Sequence, residues 1–217
     1  MSQDAGETTV VVFDVNVYID VAGLIGPPFT WGAFDQLVAQ VMALPVPYPK
    51  DERIDSLRAV AYCRQGKVID GEPIEVWTSD HIDELLVHKA IQTATAVVPE
   101  DRGLGWSQRD ALDLLERLVR DLVEDTGGDS LGELKGHTWR PPLDDYEDGY
   151  VYETAYRAGD IEVMPRICIT RDGDFHDAGL PPRVDVKYPH EFVDYIRKAR
   201  RPPPGLGPAS LIGRRDS

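Results

Sequence analysis

The chain has 217 residues, 42% hydrophobic and 28% charged, which suits one globular domain with insertions better than two domains. A formal net charge of −15 argues against broad electrostatic affinity for nucleic acid, so any grip on RNA or DNA must come from clustered basic residues or bound cations. Cys63 and Cys168 are far apart and lack metal-ligand spacing, so no disulfide framework is implied and a reducing compartment fits. The first residues hold no basic stretch followed by an apolar one, and no apolar run approaches the roughly 20 residues of a membrane span. The expectation is a soluble, cytoplasmic protein with no membrane partner.

In chain order, residues 1–7 are polar and read as a flexible N-terminus. Residues 8–13 are Val-rich without alternation, the pattern of a strand buried on both faces of a parallel sheet. Residues 26–30 (Gly-Pro-Pro-Phe-Thr) read as a loop. The spacing predicts a helix from Trp31 to about Ala43, with Phe34, Leu37, Val38, Val41 and Met42 on one face. Pro45, Pro47 and Pro49 break it. A second helix is predicted over 51–63 through Ile54, Leu57, Val60 and Ala61.

Ile74 to Thr78 reads as a short strand, and Ser79 as the N-cap of a helix running to about Thr95. Ser107-Gln-Arg-Asp110 resembles a capping box, and a strongly periodic helix follows through Ala111, Leu112, Leu115, Leu118, Val119, Leu122 and Val123. Gly127-Gly128 ends it, and 127–143 reads as a loop insertion. Asp144 or Asp145 could open a helix to about Arg157. Arg166–Thr170, which contains Cys168 as a small core residue, is the next strand, Val184–Lys187 another, and 189–199 the last helix. Residues 201–217 read as a disordered Pro/Gly-rich basic tail, leaving a single domain over 8–200. Strands separated by helices imply an α/β fold: three layers, α/β/α, around a mostly parallel sheet.

Four acids in four segments carry the chemical interest: Asp14 at the end of the first strand, Glu84 in the 79–95 helix, Asp148 in Asp-Asp-Tyr-Glu-Asp-Gly-Tyr, and Asp172 just after the 166–170 strand. Parallel strands ending in Asp place carboxylates at the sheet edge where α/β folds keep their ligand sites. Carboxylates gathered without bases favour a hard divalent cation. Each acid alone has a duller role, as strand-end, solvated helix, cap or turn residue. A dehalogenase-like phosphatase needs Asp where Asn16 stands. The run Asp172-x-Asp174-x-x-Asp177 lacks the Gly and Glu of a calcium loop. The histidines at 81, 88, 137, 176 and 190 show no ligand spacing, and no Gly-rich phosphate loop occurs. Trp139, Tyr146, Tyr150 and Tyr152 surround the third acid and read better as packing than as a base-stacking set.

Four segments resemble the PIN-domain nucleases. These are Val-Val-Phe-Asp14-Val-Asn16, Ser79-Asp-His-Ile-Asp-Glu84-Leu-Leu, Asp148-Gly-Tyr-Val-Tyr-Glu-Thr-Ala155, and Ile-Cys-Ile-Thr170-Arg-Asp172-Gly-Asp174-Phe175. Val-Lys-Tyr-Pro-His-Glu-Phe192 is similar to the family's lead into its last helix. The matches follow the family's order over roughly 8–195. The chain is long for the family, and Asp144, Asp145 and Glu147 crowd the third motif, so Asp144 or Asp145 stays open as the third acid.

The resemblance implies an Mg²⁺- or Mn²⁺-dependent endoribonuclease acting on single-stranded RNA. It implies Asp14, Glu84, Asp148 and Asp172 as catalytic and metal-holding residues, supported by Asn16, Thr170 and Asp174. It also implies an RNA substrate and, as the toxin half of a bacterial toxin–antitoxin pair, a protein antitoxin; a homodimer stays open. A non-catalytic PIN domain binding RNA or protein, and a housekeeping RNA-processing nuclease, are the alternatives. The basic run Arg197, Lys198, Arg200 and Arg201, with Arg214 and Arg215, reads equally as an RNA grip or as a solvated tail.

Overall fold

A computed structural model describes residues 8–43, 51–65, 73–95, 103–135, 139–159 and 165–199. The expectations for 1–7 and 201–217, and for Arg200, Arg201, Arg214 and Arg215, lie outside them.

The sheet has four parallel strands in the order β2-β1-β3-β4, with β1 at Thr9–Phe13, β2 at Ile74–Trp77, β3 at Arg166–Ile169 and β4 at Asp185–Lys187. All five residues of β1 are buried. Successive strand residues point to opposite faces, so continuous burial requires cover on both, as the unalternated Val run predicts. The architecture is the expected three-layer α/β/α. α7 (Tyr146–Arg157) packs on β1 and β3, while α6 (Asp121–Thr126) and α3 (Glu52–Arg64) pack on β2. Against these lie α1 (Val15–Ile25), α2 (Trp31–Met42), α4 (Asp80–Ile91), α5 (Gln108–Leu114), the single turn α8 (Gly173–Asp177) and α9 (Pro189–Ala199). Among the described residues, no helix is long and apolar enough to cross a membrane.

Chain order and sheet order define where a site can form. The chain leaves β1, forms β2 on one flank, and then returns to the other flank for β3. The connection out of β1 leads to β2 on one side and the connection out of β3 leads to β4 on the other, so the two diverge above the carboxyl ends of β1 and β3 and open a crevice there. Phe13 pairs with Ile169, so the next residues, Asp14 and Thr170, emerge side by side into it.

Several elements differ from expectation. α1 has no counterpart in the sequence reading. Val15, Val17, Ile19 and Val21 alternate as in a strand, yet Val15, Val17, Tyr18, Val21 and Ala22 are all buried, and a helix buried on most sides loses its amphipathic period. Its end is set by Gly26, at φ +79°, whose N–H donates to Ala22 O at 2.8 Å. α4 stops at Ile91 rather than Thr95. Ser79 occupies the N-cap position, but its side chain makes no capping bond. The hydroxyl instead meets Thr154 Oγ1 at 2.9 Å and ties α4 to α7.

The long helix predicted after Ser107 begins as expected, with the Ser107 hydroxyl accepting from the Asp110 N–H at 3.1 Å. It then widens into a π-helical stretch, Leu115–Arg120, before α6. Leu112 is exposed, and Leu114 is buried in its place. Met42, expected on the buried face of α2, is also exposed. Part of the 127–143 segment is built into the fold. Ser130 forms a parallel bridge with Thr78 beyond β2, and Gly128 packs so closely that a Cβ there would stand 1.8 Å from Val76 O.

Candidate metal-dependent active site

The crevice above β1 and β3 is a cleft of about 400 Å³. Asp14, Asp145, Glu147, Asp148 and Asp172 line it, against only Arg171 and Lys89 as cations. Asp14, Asp148 and Asp172, predicted from separate segments, thus meet in one place.

Asp14 sits between β1 and α1 and is 6% exposed. Its Oδ2 accepts a hydrogen bond from Asn16 Nδ2 and one from the Thr170 hydroxyl at 2.6 Å. Asn16 Nδ2 also reaches Thr170 Oγ1 at 3.2 Å, while Asn16 Oδ1 accepts from the Arg171 N–H at 3.2 Å. Thr170 Oγ1 in turn accepts from the Asp172 N–H at 2.9 Å. Asn16 and Thr170 therefore fix one oxygen of Asp14 and stitch the ends of β1 and β3 together. Asp172 caps α8, accepting from the Asp174 N–H at 2.9 Å. Asp174 is exposed beyond it.

The candidates for the third acid occupy different places at the start of α7. Asp145 is the N-cap of α7, its carboxylate accepting from the Asp148 N–H at 2.8 Å. Asp148 lies three residues on, in the first turn, half-buried and in the cleft. Both line the cleft; Asp144 does not.

Electrostatics mark the site as short of positive charge. Burial, opposed by hydrogen bonds from Thr170 and the backbone and reinforced by Asp172, raises the Asp14 pKa to about 6. Burial raises Asp148 to about 8, with repulsion from Asp145, Asp14, Asp172 and Asp174 adding to it. Asp174 is pushed up chiefly by Asp172. Acids packed this way hold protons that a cation would replace.

Glu84 takes a different position. It is exposed, and α4 presents Leu85 and Lys89 to the cleft instead. Those two are four apart and share a face, whereas Glu84 lies about 100° around the helix from Leu85. Its charge acts on His81, together with Glu147 and Asp145, and it does not line the cleft. Lys89 and Arg171 had no functional reading from sequence. The i, i+4 spacing of Leu85 and Lys89 was the available signal, but nothing in the sequence says which face of α4 meets the cleft.

Of the aromatics near Asp148, none lines the cleft; Trp139, Tyr150 and Tyr152 pack, and Tyr146 is exposed. Trp139 stands edge-on to Tyr152 at 4.8 Å and donates to Glu153 Oε2 at 2.6 Å. Tyr150 lies 4.6 Å from the His81 ring.

The donor set is all oxygen, which suits Mg²⁺ or Mn²⁺. Among the described residues, no three His, Cys, Asp or Glu side chains already form a cage for a metal ion. One Asp14 oxygen is occupied by Asn16 and Thr170, and the acids repel one another. The residues therefore fit an ion that keeps much of its water better than one stripped of it.

Comparison with models of known protein families, with curated proteins and with solved structures gives no match to this chain. The likeness to PIN-domain nucleases rests on the four motifs.

Proposed function

We propose that this protein is a metal-dependent endoribonuclease of the PIN type that hydrolyses single-stranded RNA. One observation carries the reading: Asp14, Asp148 and Asp172 converge at the carboxyl edge of a parallel sheet, at its switch point, in a cleft where acids outnumber bases.

In this reading Asp14, Asp148 and Asp172 hold Mg²⁺ or Mn²⁺, largely through water. When bound, the ion supplies a more acidic water and neutralises charge on the scissile phosphate. Asn16 and Thr170 keep the Asp14 carboxylate in one orientation. Asp174 steadies Asp172 through the turn they share. Glu84, exposed on α4, orients water or substrate. Arg171 and Lys89 draw the phosphate into an otherwise repulsive cleft.

By the same resemblance, the biological role is the toxin of a toxin–antitoxin pair in the cytoplasm. The antitoxin would cover the cleft with a basic side chain. A second reading, an RNA- or protein-binding module without catalysis, is favoured by the net charge of −15, which suits a basic protein partner.

The test is cleavage of end-labelled single-stranded RNA by the purified chain in Mg²⁺ or Mn²⁺, with EDTA and Asp14→Asn as controls. Cleavage that both controls remove supports the nuclease. A folded, metal-supplied protein that leaves RNA intact favours the binding module.

A further inference from the structure

Arg171 lines two cavities at once. One is the acidic cleft; the other, about 430 Å³, is bounded by Glu52, Asp55, Arg171, Gly173, Tyr188 and His190. The second volume falls in the ~300–1,000 Å³ range of small-ligand pockets. Arg171 is held in place from behind. Its Nε stands 3.0 Å from Asp20 Oδ2, and Asp20 is buried and accepts from the Ser56 hydroxyl at 2.7 Å. The pairing with Asp20 is by charge, without an aligned hydrogen bond from Nε, and it leaves the outer N–H groups of the guanidinium for an anion lying between the cavities.

Beside the second cavity stand three near-parallel rings. His176 and Tyr188 have centroids 3.8 Å apart with planes 14° apart, and Tyr188 and His190 are 5.6 Å and 16° apart. His190 is exposed. Planar aromatic rings lining the same cavity as an Arg match what a single-stranded nucleic acid offers: a flat base, then a phosphate.

We propose that the second cavity is a nucleobase subsite. A single-stranded RNA would lie with its scissile phosphate in the acidic cleft, a phosphate on Arg171, and the adjoining base against the Tyr188–His190 rings. The carboxylates of Glu52 and Asp55 only accept hydrogen bonds when ionised. They repel phosphate and favour a base with an exocyclic amino group over uracil. Glu52 is well placed for this role: its side chain is 82% exposed and its contact to Arg171 Nη1 is a long 3.6 Å. The subsite deepens the nuclease reading and rests on it.

The test uses the full chain carrying Asp14→Asn in Mg²⁺, so that RNA survives, and the wild-type chain in Ca²⁺. The probe is a short single-stranded RNA with 2-aminopurine at successive positions. Quenching at one position is expected, together with a loss of affinity on the order of tenfold for Tyr188→Ala. Tyr188→Phe should restore both. Replacing the base at that position by uracil should weaken binding, and Glu52→Ala should erase the difference. Tight binding that ignores Tyr188→Ala, or that takes uracil equally well, overturns the subsite while the nuclease reading stands. No RNA binding by either protein takes both down.

Discussion

The Thr170 hydroxyl donates to Asp14 Oδ2 at 2.6 Å across the gap between β3 and β1. The same oxygen of Thr170 accepts from the Asp172 N–H. One side chain thus sets the orientation of one acid and the approach of another. Thr170→Val keeps the shape and removes these two bonds together with the one from Asn16 Nδ2. The expected outcome is a 10- to 100-fold fall in RNA cleavage and about 1–2 kcal/mol lower stability. Thr170→Ser should recover most of the activity, which a purely packing role of the methyl group would not predict. Cleavage rates and denaturant midpoints of the two variants decide it.

The raised acids make stability depend on pH in a definite direction. A folded-state pKa above the ordinary 3.8 means that the folded chain holds extra protons, from 3.8 to about 6 for Asp14 and to about 8 for Asp148. Stability is therefore greatest below that window and falls as pH rises through it. The shift at Asp14 alone corresponds to about 3 kcal/mol. Melting temperature in EDTA should drop between pH 5 and pH 8, and Asp148→Asn should flatten the slope. A melting temperature that is constant or rises over this range would contradict the assignment.

Gly128 stands where no side chain fits, its Cβ position 1.8 Å from Val76 O. Gly128→Ala must push the chain off β2 and weaken the bridge between Thr78 and Ser130. A loss of several kcal/mol is expected, above the ~1 kcal/mol typical of point changes. Equilibrium unfolding in urea measures it, and a near-neutral result would show that the close approach is not maintained.

Ser79 ties the two helices that flank the cleft. Thr154 already donates to Tyr150 O at 2.8 Å, so the Ser79 hydroxyl is the donor in the contact between them. Ser79→Ala should cost about 1 kcal/mol. Because α7 carries Asp148, it should also lower cleavage more than that loss of stability explains. Activity measured well below the melting temperature separates the two effects.

What the sequence reveals depends on how directly each feature follows from local chemistry. The unbroken Val run of β1 and the apolar Ile-Cys-Ile of β3 announce a doubly covered parallel sheet, and the Asp and Thr at their ends fall at the edge by register alone. α1 is hidden because burial on most sides removes the period that marks a helix and leaves a false alternation. The capping hydroxyl of Ser107 is visible in sequence. That of Ser79 is misleading, because tertiary packing against Thr154 outcompetes the local bond. Asp14, Asp148 and Asp172 can be named from motif spacing. That Glu84 does not line the cleft cannot, since a one-residue offset on α4 decides which side chain faces it. Arg171 gains its interest only from Asp20 and Ser56, residues remote in sequence.

The proposed nuclease requires a divalent cation in the acidic cleft. Mn²⁺ binding followed by electron paramagnetic resonance tests it most directly, with the wild-type chain beside Asp14→Asn and Asp148→Asn. Saturable binding to the wild-type protein, weakened at least tenfold in both variants and competed by Mg²⁺, is the predicted result. No binding, or binding that both variants leave unchanged, would contradict it.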